Sequence, residues 1–412
     1  MTVYICDHGL VHYSGHHAQW DGVFAKLYQR LGYTVKIFSH MSFAASQLDD
    51  IPVIRHFHKT AWHENNTADL THNWDRYFEL NATIHGELIK LTKGDYAGSG
   101  PKMTRDDIVV FPTIVQFQIA GIVKWFNGLK EDQRPTVLCY LVGPSGCTVD
   151  LKAGKAKIQQ FDTARFYKLG FREAKMGAPG IHFFACGEVH SEQYSFLAGQ
   201  KIEALPLVNA AVGADKQLRD EQTKTALLYA GGLRVDKGAG RLPGLIQGLC
   251  TLHSDWAFIV QVGIADLEQV PKPFYVAMSQ LVSRFANFHF IAKRLSDDAY
   301  HDLFTECEIV VTPYNPAAYA NQTSGILWEG IANACTLVVP GNCWLEEEAF
   351  RQGMGCVTFV RNKVPEMVAA VSQAITNPPM SRGERIKAAL KFKAKNTGAQ
   401  LEKQILSVLP KI

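Results

Sequence analysis

The chain has 412 residues, 47% of them apolar and 20% charged, with a net charge of +3. That length predicts two or more domains, and that apolar content is ample for packed cores. The near-neutral balance excludes a nucleic-acid binder recognisable from composition. The nine scattered cysteines form no C-x-x-C pair and no metal-ligand spacing, which fits a reducing compartment.

The N-terminus, MTVYICDHGL, enters a strand directly. It lacks a basic region followed by an apolar run, so no secretion signal is expected. No apolar run of about 18 residues offers a membrane span. A cytoplasmic location is the expectation, and the sequons at Asn65, Asn81 and Asn321 would then carry no glycan. Cys6, Cys139 and Cys335 sit in apolar runs and read as small core residues.

Val3 to Cys6 reads as a buried strand. A glycine-punctuated loop follows, His8 to His17, and then an amphipathic helix over Ala18 to Leu31 with Trp20, Val23, Phe24, Leu27 and Leu31 on one face. Thr34 to Phe38 is the next strand, so the chain opens with a βαβ unit. The loop is not G-x-G-x-x-G, yet Gly15 before a helix would let a ligand approach the backbone closely. Ile51 to Phe57 reads as a strand and His72 to Leu91 as a long helix. Ile108 to Phe111 reads as a strand stopped by Pro112, with Thr113 to Gly128 continuing as a helix.

Val137 to Val142 is another strand, ending in GPSGCTVD. That segment lacks the Gly-Lys-Ser/Thr ending of a P-loop, so no Walker motif is assigned. Phe161 to Met176 is a helix with Arg165, Lys168, Arg172 and Lys175 near only Asp162 and Glu173. A solvated face is the plain reading, and contact with an anionic membrane or acceptor, at the inner face of the membrane, the alternative. Ile181 to Ala185 is a strand, Ser191 to Leu197 a helix, and Leu207 to Thr223 a connector that shifts from apolar to polar. The domain boundary belongs there.

The pattern then restarts. Ala226 to Ala230 is a strand, followed by the Gly231-Gly232 turn, a polar loop over Arg234 to Lys237, and a helix over Leu242 to Leu252. Trp256 to Val262 is a strand ending at Gly263. Val276 to Phe285 is a helix, Phe288 to Ala292 a strand, and Asp297 to Cys307 a helix capped by Ser296. Val368 to Ile375 is a further helix, and Arg382 to Leu409 a basic helical tail long enough to reach the other domain.

The stretch from Val310 to Glu347 carries the most chemistry. Ile309 to Thr312 is a short buried strand stopped by Pro313. Asn321, Thr323 and Ser324 are good helix N-caps, and Gly325 to Ala332 reads as a helix carrying Glu329. Asn333 is placed to take the left-handed turn that ends it. Thr336 to Val339 is a second buried strand. In such a βαβ unit the helix N-terminus lies at the carboxyl end of a parallel sheet, where free N–H groups favour a phosphate. A glutamate one turn in can accept hydrogen bonds from ribose hydroxyls. The combination suits a nucleotide diphosphate and wants no metal or other cofactor. The plain reading of Glu329 is a solvated helix residue.

Two successive runs of alternating strands and helices predict an α/β chain of two doubly wound, Rossmann-like domains. Residues 1–207 form the first, 208–385 the second, and 386–412 a helix crossing back. Ligands in such sheets bind at the carboxyl ends of strands, so the site is expected in the cleft between the domains.

The second half, from Leu227 to about Ala370, resembles the retaining GT-B glycosyltransferases of family GT4, the glycosyl transferases of group 1. The stretch LLYAGGLRVDKG is similar to that family's strand-turn motif, in which an arginine and a lysine hold the donor diphosphate. The lysine falls on Lys237. The arginine position is Gly232 here, and Arg234 is the substitute. The family's pair of glutamates, with seven residues between them, falls on Asn321 and Glu329. The second implies ribose binding. The first departs from the pattern, at a position that contacts sugar hydroxyls in the family. Thr323 and Ser324 stand where Phe-Gly is usual, and the backbone N–H groups of Ser324, Gly325 and Ile326 are expected at the β-phosphate. In many relatives a histidine after a first-domain strand helps near the sugar. The corresponding strand here ends FPTIVQFQ, with Thr113, Gln116 and Gln118, and His12, His16 and His17 are the candidate stand-ins.

The resemblance thus implies a hexosyltransferase taking a UDP-, GDP- or ADP-sugar, acting with retention on a polysaccharide, lipid-linked or small-molecule acceptor. Arg234, Lys237 and Glu329 are the expected catalytic residues. Gly15, Gly232, Gly263, Asn321, Thr323, Ser324, Gly325 and Ile326 are expected around the donor. The alternatives are a GT-B-shaped sugar-nucleotide epimerase and a non-catalytic sugar-nucleotide-binding protein.

Overall fold

The structure, a computed structural model, describes residues 1–13, 16–61, 69–150, 155–177, 180–207, 218–219, 221–263 and 270–409. The chain divides into two compact units, Met1–Asn209 with Gly398–Ile412, and Ala210–Thr397.

The first unit carries strands β1 (Thr2–Asp7), β2 (Thr34–His40), β3 (Gln47–Leu48), β4 (Ile51–Phe57), β5 (Ile108–Ile114), β6 (Thr136–Leu141), β9 (Ile181–Cys186) and β10 (Glu203–Leu205). They form one sheet in the order β10-β9-β6-β5-β1-β2-β4-β3, and every pair is parallel except β3 with β4. Between β6 and β9, β7 (Cys147–Asp150) and β8 (Lys155–Ile158) form a separate antiparallel hairpin that the sequence reading missed. The helices are α1 (His16–Arg30), α2 (Leu70–Thr92), α3 (Ile119–Gly128), α4 (Phe161–Gly177) and α5 (Glu188–Ala198). β5 and β6 are buried along their whole length, as the β-branched runs IVVFPTI and TVLCYL require of strands covered on both faces.

The second unit is a six-stranded, wholly parallel sheet. Its strands are β11 (Thr225–Tyr229), β12 (Ala257–Val262), β13 (Phe288–Ala292), β14 (Ile309–Val311), β15 (Thr336–Pro340) and β16 (Cys356–Phe359). Their order is β13-β12-β11-β14-β15-β16. The helices are α6 (Leu242–Leu252), α7 (Lys272–Arg284), α8 (Asp297–Thr305), α9 (Gly325–Ala332), α10 (Trp344–Arg351), α11 (Val364–Thr376) and α12 (Arg382–Lys395).

Several expectations are corrected. β5 runs through Pro112 to Ile114, and α3 begins only at Ile119. The missing N–H is absorbed where the register with β6 shifts, between Phe111 and Ile114. α1 starts at His16, so His16 and His17 lie in the first helical turn rather than in the loop. The basic tail is two helices, not one. α12 stays with the second unit, and α13 (Gly398–Val408) belongs to the first, where Arg30 Nη2 lies 3.6 Å from Glu402 Oε2.

The left-handed residue after α9 is Ala334 (φ 56°), not Asn333 (φ −100°). Ala334 N donates to Ile331 O (3.1 Å) and Cys335 N to Gly330 O (2.9 Å), the paired bonds of a Schellman ending. Asn333 instead turns its side-chain amide back onto Glu329 O (2.9 Å). A left-handed alanine is strained by about 1–2 kcal/mol. Its carbonyl is held by buried Arg385, whose Nε donates to it at 3.0 Å. Arg385 also pairs with Glu308, which Arg382 reaches at 3.3 Å, so α12 is pinned through a buried ion cluster.

Candidate active site

In both sheets two central strands leave in opposite directions of winding. This switch point lies between β1 and β5 in the first unit and between β11 and β14 in the second. Loops at the carboxyl ends of those strands diverge there and leave a crevice for a ligand.

In the second unit the loop after β11 holds Gly231, Gly232, Arg234 and Lys237. Gly231 adopts φ +91°, and Lys237 Nζ lies 3.7 Å from where a Cβ on it would stand. Gly238 adopts φ +83°, and any side chain there would collide with Pro313 O. These two glycines fold the loop back over the end of its own strand and against the end of β14. Asn315 N donates to Asp236 O (2.8 Å) and Arg241 Nη1 to Pro313 O (3.2 Å), which fixes the loop to the segment after β14. Buried Gln261 joins the neighbouring strand ends. It accepts from Gly231 N (2.9 Å) and donates to Lys293 O (2.9 Å). Gly263 N donates to Gly231 O (3.0 Å), so Gly263 serves here as a backbone tie.

Lys237 lies 5.6 Å from the Tyr314 ring centroid, and no carboxylate pairs with it among the described residues. Burial first, and then the Arg234 charge, lower its pKa to about 8. Arg234 is committed elsewhere: Nε and Nη2 bond Asp236 at 3.0 and 2.5 Å. A diphosphate would compete with Asp236 for that guanidinium. Gly232 is exposed, and its carbonyl accepts from Tyr229 Oη at 2.6 Å.

The segment after β14 leads to α9, whose bounds match the sequence reading. Asn321 is 2% exposed, Ser324 and Ile326 are buried, Thr323 is half-buried, and Gly325 is exposed at the helix start. Ser324 precedes the helix in extended conformation and makes no side-chain capping bond. Glu329 is not a solvated helix residue. It is buried, with Oε2 3.6 Å from Nδ1 of His301 on α8. Sequence reasoning missed His301, Gln261 and Arg241. A polar residue inside an otherwise apolar strand, as Gln261 is in AFIVQV, was the available signal.

In the first unit, Asp7 ends β1 and is fully buried. It accepts from Gly9 N (2.8 Å), Thr113 Oγ1 (3.1 Å) and His17 Nδ1 (2.7 Å). Burial pushes its pKa up, but the His17 charge and bonds outweigh this and the net shift is down. An ionised Asp7 fixes the His17 tautomer with its proton on Nδ1. His16 packs on His17 with ring centroids 4.1 Å apart. Asp21, one turn further along α1, is fully buried with no hydrogen bond to either carboxylate oxygen among the described residues. Burial and then the Asp7 charge push its pKa well up. His8 is buried, which lowers its pKa to about 4, and Gln118 Nε2 bonds its ring.

His12 is exposed, and no hydrogen bond or ring contact among the described residues ties it to this cluster. Gln116 is buried, with no partner for Oε1 among them. Gly15 lies outside the described residues. Asp7 was missed, although a carboxylate closing a buried strand just before a glycine-rich loop was its signal.

No family model matches the chain, and no curated protein matches it by sequence. Solved structures do. Sucrose-phosphate synthase from Thermosynechococcus elongatus superposes with a TM-score of 0.63 at 10% identity, over 99% of this chain and 98% of that one. HepE from Anabaena, in complex with UDP-glucose, gives 0.59 at 11% identity over 99% of both chains. The α,α-trehalose 6-phosphate synthase from Burkholderia multivorans gives 0.59 at 9% identity, over 99% and 96%. The likeness runs through both units and shows the GT-B fold of two Rossmann-like domains. At these identities it shows the fold alone.

Proposed function

We propose that the chain transfers a sugar from a nucleoside-diphosphate donor to an acceptor hydroxyl, as a GT-B glycosyltransferase. One observation carries the reading. At the switch point of the second sheet, Lys237 stands without a carboxylate partner among the described residues, on a loop bonded to the segment that leads into α9. The lysine and the amides that open α9 would hold the diphosphate and stabilise its charge as it departs, with Arg234 joining once Asp236 releases it. Glu329, steadied by His301, would take the ribose hydroxyls. The neighbour bound to UDP-glucose supports a donor of this class. The acceptor would be held by the first unit, with a polysaccharide, lipid-linked glycan or small molecule as its class.

Retention is the course that the resemblance implies. The acceptor oxygen would attack on the leaving-group face, and the departing phosphate oxygen would take its proton. The Asp7–His17 pair favours a second course. With Nδ1–H given to Asp7, His17 Nε2 is the basic nitrogen. It would accept the hydroxyl proton while the acceptor oxygen bonds the anomeric carbon from the opposite face and the carbon–phosphate oxygen bond breaks. That course inverts the anomeric configuration, and proton NMR of the product tells the two apart.

Calorimetry with UDP, GDP and ADP tests the donor site. Binding of one of them, weakened in Lys237→Ala at unchanged melting temperature, is the expected result. Equal affinity in the variant would remove Lys237 from the site. Incubation with sugar nucleotides without acceptor then separates three activities: slow hydrolysis marks a transferase, conversion of the sugar an epimerase, and binding alone a sensor.

A further inference from the structure

We propose that the outer face of α4, with the β8 segment that runs into it, is a docking surface for an anionic lipid bilayer. Among the α4 residues whose burial is described, the exposed ones are Phe161, Arg165, Lys168 and Arg172, at spacings of four, three and four, which puts them on one stripe. The stripe is cationic and carries an aromatic ring at its start. Before it in the chain, Lys155, Lys157, Ile158, Gln159 and Gln160 are exposed, with Ala156 half-buried between the two lysines.

Phe161 is 63% exposed, Ile158 40%, Phe78 on α2 61% and Phe196 on α5 44%. The three rings lie beside the cations, Phe78 through Trp74. Arg165 Cζ lies 4.9 Å from the Trp74 ring centroid and 5.9 Å from that of Phe161, and Trp74 packs on Phe78 at 5.6 Å. Lys168 Nζ lies 5.3 Å from the Phe196 ring. Large exposed rings held beside cations form a surface that puts apolar area and positive charge at the same depth, as a headgroup boundary demands.

The charge balance selects the lipid. Among the described residues, no carboxylate pairs with Lys155, Lys157, Arg165, Lys168 or Arg172. Asp162 is buried and takes a 2.8 Å bond from Asn73 Nδ2, and Glu173, next to Arg172 on α4, is half-buried and makes no ion pair among the described residues. Glu79 on α2 is paired with Lys59. Asp75 on α2 and Glu188 on α5 are exposed. A protein partner with an apolar groove would leave the five cations unmatched, and a soluble polyanion would leave the four apolar side chains in water. An anionic bilayer meets both needs.

The experiment is co-sedimentation of the full chain with vesicles of phosphatidylcholine alone and of phosphatidylcholine with phosphatidylglycerol. Binding to the anionic vesicles only, weakened by salt, is expected. Arg165→Gln/Lys168→Gln should weaken it roughly 25-fold, about fivefold for each cation removed. Phe161→Ser should lower the fraction that stays bound in high salt. Should the helix variant melt early, Lys155→Gln/Lys157→Gln on the surface hairpin carries the same test. Equal binding by these variants, no binding by the parent chain, or capture by soluble heparin with no vesicle binding would each overturn the proposal. None of these substitutions touches the donor residues, so donor hydrolysis should stay unchanged, and the outcome is independent of the transferase reading.

Discussion

The two units share a strand order and differ in the charge they place at the same point of it. Counted from the first strand of each sheet, both run 3-2-1-4-5-6, with one extra strand beyond the sixth in the first unit and a two-residue hairpin strand beyond the third. At the switch point the first unit gathers Asp7, Asp21, His8 and His17, while the second gathers Arg234, Lys237, Arg241 and the start of α9. The fold fixes where a ligand goes, and the side chains decide what is done to it. A cationic crevice suits a leaving diphosphate. A carboxylate holding an imidazole suits a hydroxyl that must lose a proton.

The sharpest way to break this comparison is to remove the cation. Lys237→Ala should lower sugar transfer on the order of 10³-fold with the melting temperature kept, since it withdraws charge stabilisation from the departing group. Steady-state rates with saturating acceptor measure it, and a loss under tenfold would leave the second switch point without its assigned chemistry.

Glu308→Ala asks whether charge in the second unit also serves stability. It strands Arg382 and Arg385, which should cost about 3–4 kcal/mol in urea unfolding. Nucleotide affinity should not change, and a drop in it would mean that α12 supports the donor site.

Asp7→Asn sharpens the other half. It keeps the shape but frees the His17 tautomer, and should reduce transfer about 100-fold. Donor binding by calorimetry should be untouched, so a fall in both would move Asp7 out of the acceptor side.

A smaller effect follows from the lowered pKa of Lys237, about 8 against an ordinary 10.5. Only the charged amine attracts a diphosphate, so affinity should fall roughly tenfold between about pH 7 and about pH 9. The sign for stability is opposite. Between about pH 8 and the ordinary value the unfolded chain binds more protons, so this group's penalty eases and stability rises with pH. Affinity that stays flat over that range would show that the ammonium does not meet the ligand.

Much of the fold was legible because it rests on local pattern. β4, β13, α6 and α9 end where strand and helix signals place them. The errors have physical causes. Pro112 was read as a stop, but the register shift beside β6 lets the strand pass it. Asn333 was read as the left-handed residue, but Arg385, from 51 positions away in sequence, holds the Ala334 carbonyl and stabilises the turn one residue later. The cationic site was legible as a short contiguous motif. Asp236 neutralising Arg234 was printed in the same motif, yet only geometry gives its bidentate bond. The Asp7–His17–Thr113 cluster joins three elements up to 106 residues apart, and no spacing rule reaches that far.

The most direct test of the central claim is a crystal structure of the chain with UDP. The account predicts a diphosphate within hydrogen-bonding reach of Lys237 Nζ and of the backbone amides that open α9. UDP seated at any other point of either sheet would contradict it.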